Sequence, residues 1–413
     1  MLQEFINTNF YRLLMFTLIF GVMFYDTIGF DYTDELCSLF LFVLFLKYVF
    51  STPKWEVNKL FLIVTTVFLF YLCYSFYIGS NVKSAILTDF VVQYKPYLGF
   101  FCVYAIKPVI TDRYRKFICE ICLVLGIYLA IVGIGCLVTY DSLIYSFKHP
   151  SRFATAVSVV AILYLYSSDY TVRDKLIFVF LLVIGLCSGR SKFYGFFIIC
   201  SVIILFVKPT FKLQWNVKNF ILFGIMFMMV AFFTYRKIDA YFISGGDFLG
   251  VDEEIQDTIA RAALYFHMPD VLIDYFPFGS GFASYATFAS GVHYSSLYAE
   301  YGMDNIFGMT KYDYPFIADT YYPALAQFGF IGVCLFFLFW GILFLKALKN
   351  YRCDSKDALL ALLIIIFFMI ECTSDSTITH NRGLFMMMLL GLLFSDLRRS
   401  KERQLYGENT CSK

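Results

Sequence analysis

Runs of about 20 apolar residues follow one another almost from end to end of this chain. That is the length a helix needs to cross a hydrocarbon core of roughly 30 Å. A water-facing fold has no means of covering so much apolar surface: 60% of the 413 residues are hydrophobic and only 15% are charged, against about 25% charged in a globular domain. The chain reads as an all-α, polytopic membrane protein. Hydropathy places about twelve transmembrane helices near 9–30, 36–52, 58–78, 87–106, 117–140, 153–168, 175–188, 192–207, 217–235, 319–346, 357–372 and 382–397. The seventh and eighth are short and meet at the polar turn Ser188–Lys192. Irregular backbone at membrane depth is tolerated only where protein or water surrounds it.

The opening residues Met1-Leu2-Gln3-Glu4 lack the basic region and cleavage site of a removable signal, so the first apolar stretch is expected to be a retained span. With the N-terminus on the cytoplasmic side, 22 of the 33 basic residues fall in cytoplasmic loops, and the positive-inside rule then places both termini there. The chain divides into a membrane bundle (1–235, about nine spans), a large outer loop (236–318), a second group of about three spans (319–397) and a cytoplasmic tail (398–413). Most of the twelve cysteines lie inside apolar stretches, and the Cys119-x-x-Cys122 pair has neither a second ligand pair nor a nearby His, so they read as small hydrophobes. The net charge of +2 gives no sign of a nucleic-acid partner.

The 236–318 loop carries eleven acidic residues against four basic ones. Ile255, Ile259, Ala262, Ala263 and Phe266 fall on one helical face that Pro269 is expected to end, and such a helix should lie on the membrane interface. A second apolar piece, 271–278, closes at Gly279-Ser280-Gly281. The tyrosine groups 294/298/301, 312/314 and 321/322 fit an interfacial aromatic belt better than sugar-stacking platforms.

Charged side chains among the apolar stretches narrow the function. Arg152, Arg190 with Lys192, and Arg261 run against the chain's own charge bias, and Asp319, Glu371, Asp375, His380 and Arg382 sit near the same outer ends. A guanidinium never loses its charge and binds phosphate oxygens bidentately, so several facing one cavity would hold a pyrophosphate. The alternative is that each snorkels or pairs with a nearby carboxylate such as Asp257 or Asp270. Asp31-x-x-Asp34-Glu35 reads as a solvated turn. His149, His267, His293 and His380 show no metal-ligand spacing, and no phosphate-binding glycine loop is present, so neither a metal nor a nucleotide cofactor is expected.

Three stretches carry a likeness to a family. Cys187-Ser188-Gly189-Arg190-Ser191-Lys192 is similar to a T-G-S-R turn. Arg261 followed by Pro277-Phe278-Gly279-Ser280-Gly281-Phe282 is similar to an R…P-x-G-x-G motif opening a long loop. Asp319-Thr320-Tyr321-Tyr322, running on to Gln327-Phe328-Gly329-Phe330-Ile331-Gly332, is similar to an H-N…E-x-G-x-x-G motif closing it. In this order the chain resembles the O-antigen polymerase and ligase superfamily of the bacterial inner membrane. The resemblance implies a metal-independent glycosyltransferase acting on undecaprenyl-pyrophosphate-linked glycans at the periplasmic face, with a chain-length regulator as a possible partner. It implies that Arg190 and Arg261 engage pyrophosphate, supported by Arg152 and Lys192, with Gly279, Gly281, Tyr321 and Tyr322 near the substrate. This chain has Asp319-Thr320 where the ligases have His-Asn, and Gln327 where they have Glu. That departure favours a polymerase with Asp319 as general base over a ligase acting on lipid A core. A flippase for the same lipid-linked glycan is the rival from another class.

Overall fold

The structure is a computed structural model that describes residues 2–28, 30, 32–52, 58–139, 141–207, 224, 228 and 251–411. Among them the regular structure is entirely helical. The elements are α1 (Leu2–Phe16), continued by a π-helical stretch Thr17–Met23, then α2 (Tyr25–Ile28), α3 (Thr33–Ser51), α4 (Lys59–Ile78), α5 (Lys83–Ile106), α6 (Asp112–Val138), α7 (Asp141–Phe147), α8 (Pro150–Ser167), α9 (Val172–Gly185) and α10 (Ser191–Phe206). After the loop's first residues come α11 (Val251–Asp274), α12 (Phe288–Val292), α13 (Leu297–Glu300), α14 (Tyr321–Ala324), α15 (Gly329–Asn350), α16 (Ser355–Glu371) and α17 (Asn381–Cys411). The expected span at 217–235 lies outside the described residues.

Four described helical stretches are long and apolar enough to cross a membrane: Leu2–Met23, Lys59–Ile78, Asp112–Val138 and Tyr321–Asn350. Their outward faces are apolar too. Ile63 and Leu69 on α4, Val124, Ile127, Ile131 and Ile134 on α6, and Phe337, Leu338 and Leu345 on α15 are all exposed. Contiguous apolar surface on that scale suits lipid and not water. Inside this shell α8 is buried along almost its whole length, and α17 is buried from Leu384 through Leu397.

Several boundaries differ from expectation. The first span does not run to residue 30: the helix stops at Met23, and α2 carries Asp26 to basic partners on α8 and α17. α17 does not end with the expected span at 397 but continues as a helix to Cys411, supported past residue 397 by an Arg398–Glu402 pair at i,i+4. Pro269 does not end α11, which runs on to Asp274.

The loop builds a core of its own. Ala260, Leu264 and Val271 form the buried face of α11, while Ala262 and Phe266 are exposed, so the packed face is rotated from the one the apolar pattern suggested. It packs on Tyr285, Leu297, Tyr298, Met303, Met309 and Ile317. The tyrosines are mostly structural as well. The Tyr285 hydroxyl donates to the Leu264 carbonyl and the Tyr294 hydroxyl to the Met309 carbonyl, both at 2.7 Å. Tyr298 is fully buried and its hydroxyl accepts from the Ala286 amide. Each phenol has an apolar body and one polar tip, which suits a small core rich in irregular backbone.

This loop is fastened to the bundle through the 279–283 segment. Ser75 accepts from the Phe282 amide, Ser80 donates to the Phe282 carbonyl, Asn81 donates to the Ala283 carbonyl, and buried Asp89 accepts from the Ala283 amide, all at 2.7–2.8 Å. On the other side the Gly281 amide donates to the Gln327 carbonyl at 2.8 Å. Gly279 and Gly329 both have positive φ and lie back to back. A Cβ on Gly279 would fall on the Gly329 amide nitrogen and within 2.5 Å of the Gln327 carbonyl oxygen. Backbone, unlike a side chain, has nowhere to move. Gly279→Ala is therefore expected to cost about 2 kcal/mol or more, read as a lower melting temperature of the detergent-solubilised protein. Gly341→Ala, with open space around its Cβ, should leave that temperature unchanged.

Candidate functional site

Charged side chains gather at two ends of the bundle. At the far end Tyr166 donates to Asp396 (2.9 Å), Lys356 donates to the Tyr166 and Ser168 carbonyls (2.6 Å), and Arg399 binds the Lys107 and Pro108 carbonyls. At the loop end lie the starts of α8, α10 and α17 and the end of α16. On α16, Lys356 and Glu371 belong to opposite ends; fifteen residues at 1.5 Å each set these about 22 Å apart.

Local sequence places each loop-end side chain. α9 tightens into a 3-10 turn, Leu186–Ser188, and Gly189 at φ 68° reverses the chain. Arg190 follows with extended backbone as the residue before α10. His149 precedes Pro150, whose fixed φ suits the first helical position, and its ring caps α8 by accepting from the Ser151 amide at 3.2 Å. Arg152 then stands in the first turn. The α16–α17 connection brings Asp375 and His380, and it is held to α11 and the segment after it by a Tyr265 hydroxyl donating to the Thr373 carbonyl at 2.7 Å and a Ser376 hydroxyl donating to the Ala318 carbonyl.

The pairing is close to complete. Asp26 joins Arg152 and Arg382, the latter at 2.6 Å, and its carboxylate is 1% exposed. Lys192 is held between Glu371 (2.8 Å) and Asp375 (3.2 Å), with Thr377 donating to Asp375 at 2.8 Å. Lys95 on α5 meets Asp34 and Glu35 on α3. Asp34 is buried, so the acidic group there is no solvated turn; its burial is offset by the ammonium. Asp31 lies outside the described residues. Arg261 pairs with Asp319 at 2.5 Å, across the fold and not with Asp270.

Arg190 differs from the rest. Among the described residues it is the guanidinium of this group with no carboxylate against it; its Nη2 lies 2.8 Å from His149 Nε2. His149 sits within the fields of Arg190, Asp375, Asp319 and Arg152, so the Arg261–Asp319 and Lys192–Asp375 pairs lie near it. Burial first, then the Arg190 and Arg152 charges, holds His149 down to about 4, and the ring is neutral at neutral pH. His380 is likewise held down to about 4, chiefly by enclosure. Burial pushes the Asp375 carboxyl up, but Lys192, the Thr377 hydrogen bond and the two histidines outweigh it and leave it below the usual carboxylate range.

The structure thus brings Arg152, Arg190, Lys192, Arg261 and Asp319 to one end of the bundle. Gly279 and Gly281 instead hold the loop to Ser75, Ser80 and the 326–329 backbone. Tyr321 faces an apolar groove of about 180 Å³ lined by Val67, Tyr71, Tyr97, Phe336 and Phe339 among others. The Tyr322 hydroxyl donates to the Met369 carbonyl at 2.8 Å. Sequence reasoning missed Asp26, an acid inside an apolar stretch, and His149, whose place before a proline is a capping signal. Among the described residues no group of three or more His, Cys, Asp or Glu side chains is placed to hold a metal ion.

No known family model and no curated protein sequence matches the chain. Its chemistry has to be argued from the site.

Two measurements test the electrostatics. Lys192→Met leaves Glu371 and Asp375 without their counter-charge and is expected to cost about 3–5 kcal/mol, seen as a large fall in melting temperature. The histidines give a pH dependence. Unfolded His takes up its proton near 6.5 and His149 only near 4, so the stability it contributes is whole above the first value and is lost as pH falls through the window between them. The melting temperature should drop between about pH 7 and about pH 4.5, and His149→Gln should make that slope shallower.

Proposed function

We propose that the chain is a polytopic membrane glycosyltransferase, a polysaccharide polymerase working on undecaprenyl-pyrophosphate-linked repeat units at the periplasmic face of the bacterial inner membrane. The observation that carries the reading is Arg190, a permanent cation at the loop end with a neutral histidine and no carboxylate beside it. A site built this way has an unspent charge for an anionic substrate, and a lipid pyrophosphate supplies one.

The reaction follows from these groups. The non-reducing-end hydroxyl of a new lipid-linked unit attacks the anomeric carbon of the growing chain. The bond from that carbon to the pyrophosphate oxygen breaks, and the electron pair leaves with undecaprenyl pyrophosphate. Arg190, with Arg152 beside it, stabilises the charge that grows on the leaving oxygens. Arg261 is drawn toward the same phosphates, which loosens its hold on Asp319; that carboxylate then takes the hydroxyl proton. Lys192 keeps Glu371 and Asp375 neutralised nearby.

A transporter reading fits less well. Between the two charged ends, α17 runs from Gly383 to Ser395 with no ionisable side chain, whereas a transport path needs polar groups along it. A ligase would use the same arginines, and the cell's glycans separate the two. Deletion of the gene should collapse the long surface-glycan ladder to single repeat units; long polymer left on the lipid carrier would mean a ligase, and units trapped on the cytoplasmic side a transporter. Complementation with Arg190→Ala should yield about a hundredfold less polymer than the natural chain, the scale of one lost charge-stabilising donor. A normal ladder would remove the arginine from the reaction.

A further inference from the structure

The imidazole of His149 is in a position that its hydrogen-bonding chemistry does not satisfy. Nδ1 accepts from the Ser151 amide at 3.2 Å and thereby caps α8. A neutral imidazole has one acceptor nitrogen and one donor nitrogen, so with Nδ1 accepting, the proton is on Nε2. Yet 2.8 Å from Nε2 stands Arg190 Nη2, which is only ever a donor. Two donors therefore face each other. Moving the proton to Nδ1 would satisfy Arg190 but set an N–H against the Ser151 amide, and a second proton would add a charge beside the guanidinium. Every protonation state of the ring leaves one contact unmade.

An anionic oxygen resolves the conflict, because it accepts from the His149 Nε2–H and from the Arg190 guanidinium at once. We infer that His149 is a phosphate-binding residue that donates through Nε2 to the same oxygens Arg190 holds. This rests on the functional reading above and deepens it. The charged groups around the ring fit the role. Arg190 and Arg152 keep it neutral and donor-bearing, while Asp375 and Asp319, which would draw a second proton, are engaged by Lys192 and Arg261. Arg152, whose charge also acts on the ring, is 45% exposed at its side chain although it touches Asp26. The ligand chemistry is a phosphate or pyrophosphate group, free or as the headgroup of an isoprenoid lipid.

Two substitutions separate the two jobs of the ring. Asn carries an acceptor at the position of Nδ1 and is among the best helix caps, but it has nothing at Nε2. Gln carries an amide donor near the reach of Nε2. The test is the stabilisation of the full chain in detergent by inorganic pyrophosphate and by farnesyl pyrophosphate, measured as the shift in melting temperature against concentration. His149→Asn is expected to melt like the natural chain without ligand and to need about tenfold more of either compound for the same shift, the loss of one hydrogen bond to a charged group. His149→Gln should bind close to normally. A lower concentration for farnesyl pyrophosphate than for pyrophosphate identifies a lipid headgroup, and equal ones the free anion; both support the inference. If Arg190→Ala loses the shift while His149→Asn keeps it, the histidine is only a cap and the inference fails alone. If neither compound shifts the natural chain, the anion site and the inference fail together.

Discussion

A charge taken out of water has to meet its opposite, and the loop end of this bundle is organised by that requirement. Asp26 is almost fully buried between two arginines, Lys192 lies between two carboxylates, and Lys95 lies against two more. Each such group is costly alone and tolerable only when its partner is delivered by another helix. The pairs therefore fix which helices meet: α2 with α8 and α17, α10 with α16 and the connection after it, α3 with α5. Against this background a guanidinium facing a neutral ring stands out among the described residues, and the proposed anion would complete the pairing there.

The loop that carries α11 meets the same end of the bundle because its 279–283 backbone is held there. Gly279 and Gly329 approach too closely for any Cβ, and the 279–283 segment is bonded on one side to the α4–α5 turn and on the other to the 327 carbonyl. That clamp orients α11, so Arg261 on its third turn reaches Asp319 where the chain re-enters the bundle. Gly279 and Gly281, which the family resemblance implies lie near substrate, are part of this backbone clamp.

Much of the architecture was legible from residue order. The apolar runs gave the helical class, the short α9 and α10 and the polar turn between them, and the outlying arginines do gather at one end of the bundle. The errors have physical causes. Pro269 lies in a helix that tertiary packing carries past it, and the α11 face was misjudged because Ala260 and Leu264 signal less strongly than Phe266, although they are what packs. The tyrosines looked like a membrane belt because an aromatic with a polar tip suits both a lipid interface and a small, irregular core.

The sequence by itself determined that this chain is helical and lipid-suited, since that depends on local apolar length and on the scarcity of charge. Only the tertiary structure decided which charges meet. Asp26 and Arg382 are 356 residues apart in the chain, and Lys192 and Asp375 are 183 apart; no local period encodes such a pairing. It arises when helices of similar composition pack in one order and not another, and the cost of an unpaired buried charge helps select that order. The His149–Arg190 contact belongs to the same class, 41 residues apart and visible only once the residues that precede α8 and α10 come together at one end of the bundle.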